Sequence, residues 1–477
     1  MSEGRIVLGR PMEKGKIIKR DVVLPLNTLN MHGMIGGATG TGKSRAIQVI
    51  AEELNDEGIP VLLADLKGDM SGFVRASKNP KTVARAKKMG IGYSPQAFPT
   101  NFFSVNSDFI PLRIRLDQID PALVARILHL NTTQESNMRI AMIYAQKKGM
   151  QIRDLVDLQD ILSYLYKNPD EVHGINKTSI GVIQRQLTIA IGDGLNELFG
   201  EPSFEIDDLM QKKISIMNLS NWRKKSEMPS VVMGFILYRL FHELPDVGHL
   251  DKPKIVLFID EAHYLFQDAN PSLIKLFTTI LKQIRSKGVS VIYSTQNPED
   301  IPESVLEQLG CKITFALRAF TKEELDDIKG VAKAFPETKM DLQKEIRNLG
   351  IGEAIVSPLS EKGKPLAPVK TFISPPRSYM KVVPNPEIKK TIDPAMLQKY
   401  GSASVLERYD LYEPLKLKFG KRRRGEAKRR EEIKYSRKES RKIKKQWNKI
   451  KMIGIFILVV LFLIIIILLL LAAFFWK

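Results

Sequence analysis

Gly37-Ala38-Thr39-Gly40-Thr41-Gly42-Lys43-Ser44 is the stretch that decides how this chain of 477 residues folds. It fits the pattern G-x-x-x-x-G-K-[ST], which cradles the phosphates of a nucleotide. Glycines let the backbone curl until successive N–H groups point inward at anionic oxygens. Lys43 can reach the β- and γ-phosphates of ATP, and Ser44 offers a hydroxyl to Mg²⁺. Arg45 follows at once and is counted with the nucleotide-binding residues. A helix opening at Gly42 adds the positive end of its dipole.

The flanks agree with the motif. Met31-His32-Gly33-Met34-Ile35 reads as a buried strand, and residues 45–54 carry helical apolar spacing. Strand, glycine loop and helix is the order that a phosphate loop needs. A glycine-rich turn matching by accident is the rival reading, and these flanks weigh against it.

Further strands can be read outward from this point. Ile59-Pro60-Val61-Leu62-Leu63-Ala64-Asp65 is apolar and ends in Leu66-Lys67-Gly68-Asp69. Ligand chemistry in open parallel sheets collects at the carboxyl ends of strands. Asp65, Lys67 and Asp69 are therefore near-site candidates, and a solvated polar loop is equally compatible with them. Lys254-Ile255-Val256-Leu257-Phe258-Ile259 leads into Asp260-Glu261-Ala262-His263. Asp260 at the strand's end can hold the Mg²⁺ water shell. Glu261 can polarise a water for attack on the γ-phosphate. Any strand ending in acids would look similar alone; the glycine loop makes this one informative.

The strand Gly288-Val289-Ser290-Val291-Ile292-Tyr293 ends in Ser294-Thr295-Gln296, whose amide can sense the γ-phosphate or orient water. Arg285, closing the helix before it, can reach a neighbouring subunit's nucleotide. It can equally be a solvated cation at a helix C-terminus, which spacing alone favours.

The single cysteine, Cys311, excludes a disulfide framework and a cysteine metal cluster within one chain. No secretory signal is visible in residues 1–10. The formal net charge is +20, but residues 416–451 hold 18 Lys/Arg against 4 Asp/Glu, leaving only +5 for 1–415 once Lys477 is counted. The body is mildly basic, so the high pI does not by itself argue for nucleic acid.

The expected organisation is a short N-terminal β segment (1–30), a core in two parts (31–100 and 205–375) and a helical insertion (101–204). A proline-containing linker (376–420), a basic helix (421–451) and an apolar segment (452–476) follow. Residues 112–130, 135–147, 155–166 and 180–198 carry the helical spacing of the insertion. Segment 452–476 has no charged residue and is long enough to cross a bilayer. With its basic flank, it predicts a single C-terminal span, the body on the cytoplasmic side and contact with anionic lipids. Nucleic-acid binding is the rival reading of that basic run.

Gly36 to Ser44, Ala64 to Asp69, Asp260 to His263, Arg285-Ser286-Lys287-Gly288, Ser294 to Pro298 and Ala316-Leu317-Arg318-Ala319-Phe320 stand in this order along the chain. They resemble the HerA-like ATPases of the FtsK–HerA class of P-loop motors, over about residues 1–377. The resemblance implies an α/β, RecA-like core with a mainly parallel sheet, ATP and Mg²⁺ as cofactors, and a homo-oligomeric ring, expected to be a hexamer. It implies DNA as the partner that is moved or unwound, and in the family a nuclease can dock as well. Lys43 and Ser44 would bind phosphate and Mg²⁺, Asp260 the metal, and Glu261 would be the base. Gln296 would be the sensor and Arg285 a finger acting in trans; Arg318 joins the near-site candidates.

Three functions remain open to the sequence. One is an anchored ring ATPase that translocates DNA. A second is a P-loop ATPase that remodels or moves protein. The third is a nucleotide-dependent scaffold, disfavoured because binding alone needs no base such as Glu261.

Overall fold

The computed structural model describes residues 4–401 apart from 106–108, 223–226, 268, 270 and 320. Strands β1 (Arg5–Glu13), β2 (Lys16–Ile17), β3 (Val22–Pro25), β4 (Gly33–Gly36), β5 (Val61–Asp65), β6 (Thr100–Ser104) and β7 (Ile110–Pro111) precede β8 (Ile214–Asn218). β9 (Ile255–Ile259), β10 (Val289–Thr295), β11 (Cys311–Phe315), β12 (Glu353–Ser357) and β13 (Val369–Ile373) follow it. All belong to one sheet, in the order β2-β1-β13-β12-β11-β4-β10-β9-β5-β8-β6-β7, with β3 paired to β1.

From β11 to β7 every pairing is parallel. Helices cover both faces of such a sheet, so its strands are apolar throughout rather than alternating. β4, β5, β9 and β10 are buried at every position. Because these strands run the same way, their carboxyl ends share one edge. β10 lies between β4 and β9, with Thr295 level with Gly36 and Tyr293 level with Ile259. That order sets the glycine loop, Gln296 and the Asp260-Glu261 pair side by side, although more than 200 residues of chain separate the first from the last.

The helix Lys43–Asp56 docks on the sheet through Ala46, Ile47, Ile50, Ala51 and Leu54, all buried and recurring at three- and four-residue steps. Between β7 and β8 lie the helices Pro121–Ile127, Thr132–Lys147, Leu155–Lys167 and Lys177–Gly192. The last three start on Asn131, Asp154 and Asn176, whose side chains accept N–H bonds from the first turn.

Several expectations are corrected. Residues 112–130 do not form one helix, because Pro121 opens a fresh one at an Asp120 cap. The short N-terminal β segment does not stand apart from the core: β1 pairs antiparallel with β13 and extends the main sheet. Strand β13 (Val369–Ile373) falls inside the expected core, just ahead of the expected linker. The described part of the expected linker, to residue 401, is bound to the body: Ile388, Ile392, Met396 and Tyr400 are buried. Lys399 pairs with Glu205 at 2.7 Å, and Arg113 donates to the Tyr400 carbonyl at 2.9 Å.

The membrane localisation is also corrected. No helix among the described residues is long and apolar enough to cross a membrane. The 421–451 and 452–476 stretches, on which the span and the lipid contacts rested, lie outside the described residues.

Candidate functional site

The glycine loop leaves β4 tied to both neighbours. Gly37 N–H donates to Thr295 O at 3.3 Å, and Ala38 N–H to Ala316 O at 2.8 Å. Gly37 has φ +150°, and a Cβ there would fall 2.6 Å from the Cβ of Phe315, so no larger residue fits. Gly42 begins the helix Lys43–Asp56 with no side-chain cap and no acid in the first turn. Arg45 N–H is met by Gly42 O at 3.0 Å, whereas the N–H groups ahead of it have no intrahelical acceptor, and no acid in that turn offsets the positive end of the dipole.

Lys43 is buried, and its Nζ donates to the loop carbonyls of Gly37 and, at 3.4 Å, Ala38. Burial lowers its pKa to about 8, against the pull of Glu261 and Asp260. Thr41 Oγ1 donates to Ala38 O at 2.7 Å and braces the turn, while Gly40 takes φ +79° at its tip. Ser44 is half-buried in the first helical turn. Arg45 donates to Gln48 Oε1 at 2.8 Å, and burial lowers its pKa.

Across from the loop, Asp260 and Glu261 are 4% exposed. Asp260 Oδ1 accepts from Ser294 Oγ at 2.9 Å; Oδ2 lies 3.7 Å from Lys67 Nζ but accepts no hydrogen bond. Burial raises the Asp260 pKa, and Lys67 opposes it. Glu261 holds φ +49°, a left-handed conformation uncommon outside glycine, in the turn that ends β9. Ala262 N–H fixes that turn by donating to Ser294 O at 2.8 Å. Glu261 Oε1 binds Lys67 Nζ and accepts from Gln296 Nε2 at 2.8 Å. Its Oε2 accepts no hydrogen bond and stands 3.5 Å from His263 Nδ1. Burial would raise the Glu261 pKa, but Lys67, Gln296 and Lys43 together hold it below the usual carboxylate range.

Gln296 joins the two halves. Its Oε1 accepts from Thr39 Oγ1 at 2.6 Å while its amide donates to Glu261. A single side chain therefore links the phosphate loop to the candidate base. Lys67 is drawn into the same cluster, and Asp260 and Glu261 hold it protonated against the cost of burial.

Asp65 has a different task. Its carboxylate accepts from the N–H groups of Lys67 (3.1 Å), Gly68 (2.7 Å) and Met70 (3.0 Å), so it shapes the loop that delivers Lys67. Asp69 is half-buried near this cluster, with Oδ1 buried and accepting no hydrogen bond. Arg318 is exposed beyond β11, at the same end of the sheet. Arg285 is not brought to this site: it precedes β10 whereas Gln296 follows it, roughly 20 Å away at the strand's rise per residue. It lines a cavity of about 300 Å³ with Asn30, His249 and Lys282. Neither Ser294 nor His263 has a role that its place in the sequence reveals. Only the turn after β9 reveals their contacts with the acids.

The donor set suits a magnesium-bound triphosphate. An uncapped helix start and the Lys43 ammonium face acid oxygens, Asp260 Oδ2 and Glu261 Oε2, that are buried and accept no hydrogen bond. Hard oxygen ligands of this kind suit Mg²⁺.

The family described as Helicase HerA-like C-terminal matches residues 12–453. The chain is 25% identical over 354 residues to the DNA double-strand break repair helicase HerA of Sulfolobus acidocaldarius, covering 72% of this chain and 66% of that protein. It is 22% identical over 366 residues to the protein of the same description from Saccharolobus solfataricus, covering 74% and 66%. The chain thus spans just under two thirds of the length of these curated relatives. Among solved structures, the plasmid coupling protein TrwB in complex with a non-hydrolysable GTP analogue matches with a TM-score of 0.54 and 14% identity, covering 79% of this chain and 96% of that one. VirB4 of Thermoanaerobacter pseudethanolicus matches with a TM-score of 0.53 and 15% identity, covering 81% and 99%. At these identities the structures establish the shared fold.

Proposed function

This chain belongs to the HerA-like C-terminal helicase family, and from that premise we propose that it hydrolyses ATP and couples the hydrolysis to moving or unwinding DNA as a homo-oligomeric ring. The observation that supports it most is the Thr39–Gln296–Glu261 chain of hydrogen bonds, which ties the phosphate loop to a carboxylate with one free oxygen. Binding alone would need the loop and Lys43. A buried carboxylate kept ionised beside it is what an attacking water requires.

In this reading, the loop N–H groups and Lys43 hold the β- and γ-phosphates. Glu261 takes the proton from the water that attacks the γ-phosphorus, and ADP leaves. Gln296 reports the presence of the γ-phosphate from Thr39 to Glu261. Ser44 and Asp260 would hold Mg²⁺, which when bound neutralises charge on the phosphate oxygens. Arg285 stands at the far end of the sheet from its own loop, so it can serve only the nucleotide of a neighbouring copy; a hexamer is the arrangement the family suggests.

The test is steady-state ATP hydrolysis by the full-length chain, with and without single- and double-stranded DNA, beside Lys43→Ala. Stimulation by DNA and its loss in Lys43→Ala are expected. Turnover indifferent to every DNA would overturn the DNA reading and favour a protein substrate. Absence of turnover in the wild type would overturn the enzyme.

A further inference from the structure

Residues 75–90 carry six Lys/Arg and no acid. That exceeds the net +5 of the whole 1–415 body, so the rest of the body is close to neutral. The positive charge of the body is gathered in one short stretch.

The helix Pro80–Met89 holds the centre of this run. It starts on Asn79, whose side chain accepts from Lys81 N–H at 3.0 Å, and it stops at Gly90 in a left-handed turn. Thr82, Ala86 and Met89 form its buried face. Arg85 pins it to the sheet, donating to Ile373 O at 2.8 Å and Gly352 O at 2.7 Å and lying 3.6 Å over the Phe372 ring. Arg10 of β1 donates to Met89 O at the other end. The helix is therefore a fixed platform.

Two of the six cations are used inside the fold, Arg85 in those contacts and Arg75 in an ion pair with Glu387. Lys78, Lys81, Lys87 and Lys88 are exposed and pair with no acid among the described residues. Lys81, Lys87 and Lys88 flank the exposed Ala84 on the outer side of the helix, over about 10 Å of its length. Local stability does not account for them. Lys87 and Lys88 suit the negative end of the helix dipole, but Lys78 and Lys81 stand at its positive end. Lys81 also repels Arg85 four residues on, and Arg85 repels Lys88 three residues on. Unrelieved repulsion of this kind is the footprint of a polyanion.

We infer that the outer face of the helix Pro80–Met89 is a track for the phosphate backbone of DNA, held by Lys81, Lys87 and Lys88 with Lys78 at its entry. The inference rests on the DNA reading above and adds a surface that touches the DNA. A protein partner would need an apolar centre, and lysine is depleted from such interfaces. Here Val83, 51% exposed, is the single large apolar side chain that the helix exposes. Interfaces with DNA are polar and strongly positive, and contacts to phosphate fix position without reading sequence. The small Ala84 lets a strand come close between the lysines. The track adjoins the nucleotide site: Gly352, whose carbonyl accepts from Arg85, donates its N–H to Thr41 O of the phosphate loop at 2.8 Å.

The experiment uses the full-length chain with a duplex and with a single strand. Lysine acetylation read residue by residue by mass spectrometry should slow several-fold at Lys81, Lys87 and Lys88 when DNA is added. The salt dependence of duplex binding is then compared between wild type and Lys87→Gln/Lys88→Gln, whose side chains are exposed so that the fold persists. The slope of log affinity against log salt should be shallower by about 2 in the variant, one released counterion for each lost lysine. Wild type that binds DNA with these lysines unprotected and the slope unchanged would overturn the track while the DNA reading stands. Protection that grows with protein concentration in the absence of DNA would overturn it in favour of a contact between copies. Wild type that binds no DNA would remove the DNA reading and this inference with it.

Discussion

Asp65 and Asp260 stand level at the ends of adjacent parallel strands, since β5 and β9 pair with Ala64 opposite Ile259. Both are nearly inaccessible, at 2% and 4% exposure. Asp65 accepts three backbone N–H bonds from its own loop. Asp260 accepts one hydroxyl bond and leaves Oδ2 accepting none. Burial raises the pKa of both, to about 6 for Asp65. Identical residue, strand end and depth thus yield two roles. The satisfied carboxylate builds the scaffold, and the unsatisfied one is available to a ligand. Glu52, buried and bonded to Arg377 and Ser378, belongs with Asp65; Glu261 belongs with Asp260.

The largest effect should come from the unsatisfied pair. Glu261→Gln keeps the hydrogen bond from Gln296 but loses the proposed base, so the turnover rate should fall by roughly 10²–10⁴-fold with nucleotide affinity retained. Single-turnover hydrolysis beside equilibrium binding separates the two quantities. A variant with near-normal turnover would erase the distinction between the two kinds of acid.

The satisfied member should break differently. Asp65→Ala strands three N–H groups and should destabilise the fold by about 3 kcal/mol. Asp260→Ala removes a buried charge with an unmet oxygen and should shift stability by less than about 1 kcal/mol, in either direction. Denaturant midpoints compare them, and equal losses would contradict the assignment.

Glu52 sharpens the same comparison through pH. Burial lifts its folded pKa to about 7, above the ordinary 4.5, despite its bonds to Ser378 and Arg377. The folded state therefore holds the proton more tightly than the unfolded one. The contribution is complete below about pH 4.5 and is lost as pH rises through about 7. Between pH 5.5 and 7.5 the wild type should lose about 2 kcal/mol more than Glu52→Gln. Parallel pH dependences in the two proteins would show that the group titrates normally.

Local chemistry made part of this legible. The glycine loop is contiguous, so its spacing alone suffices to propose its glycines, Lys43 and Ser44 as a phosphate site. The apolar runs before Asp65, Asp260 and Gln296 are long enough to read as buried parallel strands. What was hidden depends on contacts distant in sequence. Nothing near Asp65 says that its oxygens are consumed by Lys67, Gly68 and Met70 while those of Asp260 are not. Strand β13 was hidden among prolines because its partners are β12 and the N-terminal β1. The anchoring of 374–401 depends on Glu52, Arg113 and Glu205, each more than 190 residues away in sequence from the group it holds.

Lys67 gives the finest test, because it is the product of one kind of acid and the partner of the other. The Asp65 loop delivers it, and its ammonium binds Glu261 Oε1 and approaches Asp260 at 3.7 Å. It is a main reason that Glu261 stays ionised despite burial. Lys67→Met keeps the length of the side chain and removes the charge. The Glu261 pKa should then rise, and the acidic limb of the kcat profile should move about one pH unit higher. Turnover on the alkaline plateau should change far less than in Glu261→Gln, since the proposed base, Glu261, remains. An unmoved acidic limb would mean that Lys67 only fills space, and that Gln296 and Lys43 suffice to keep the base charged.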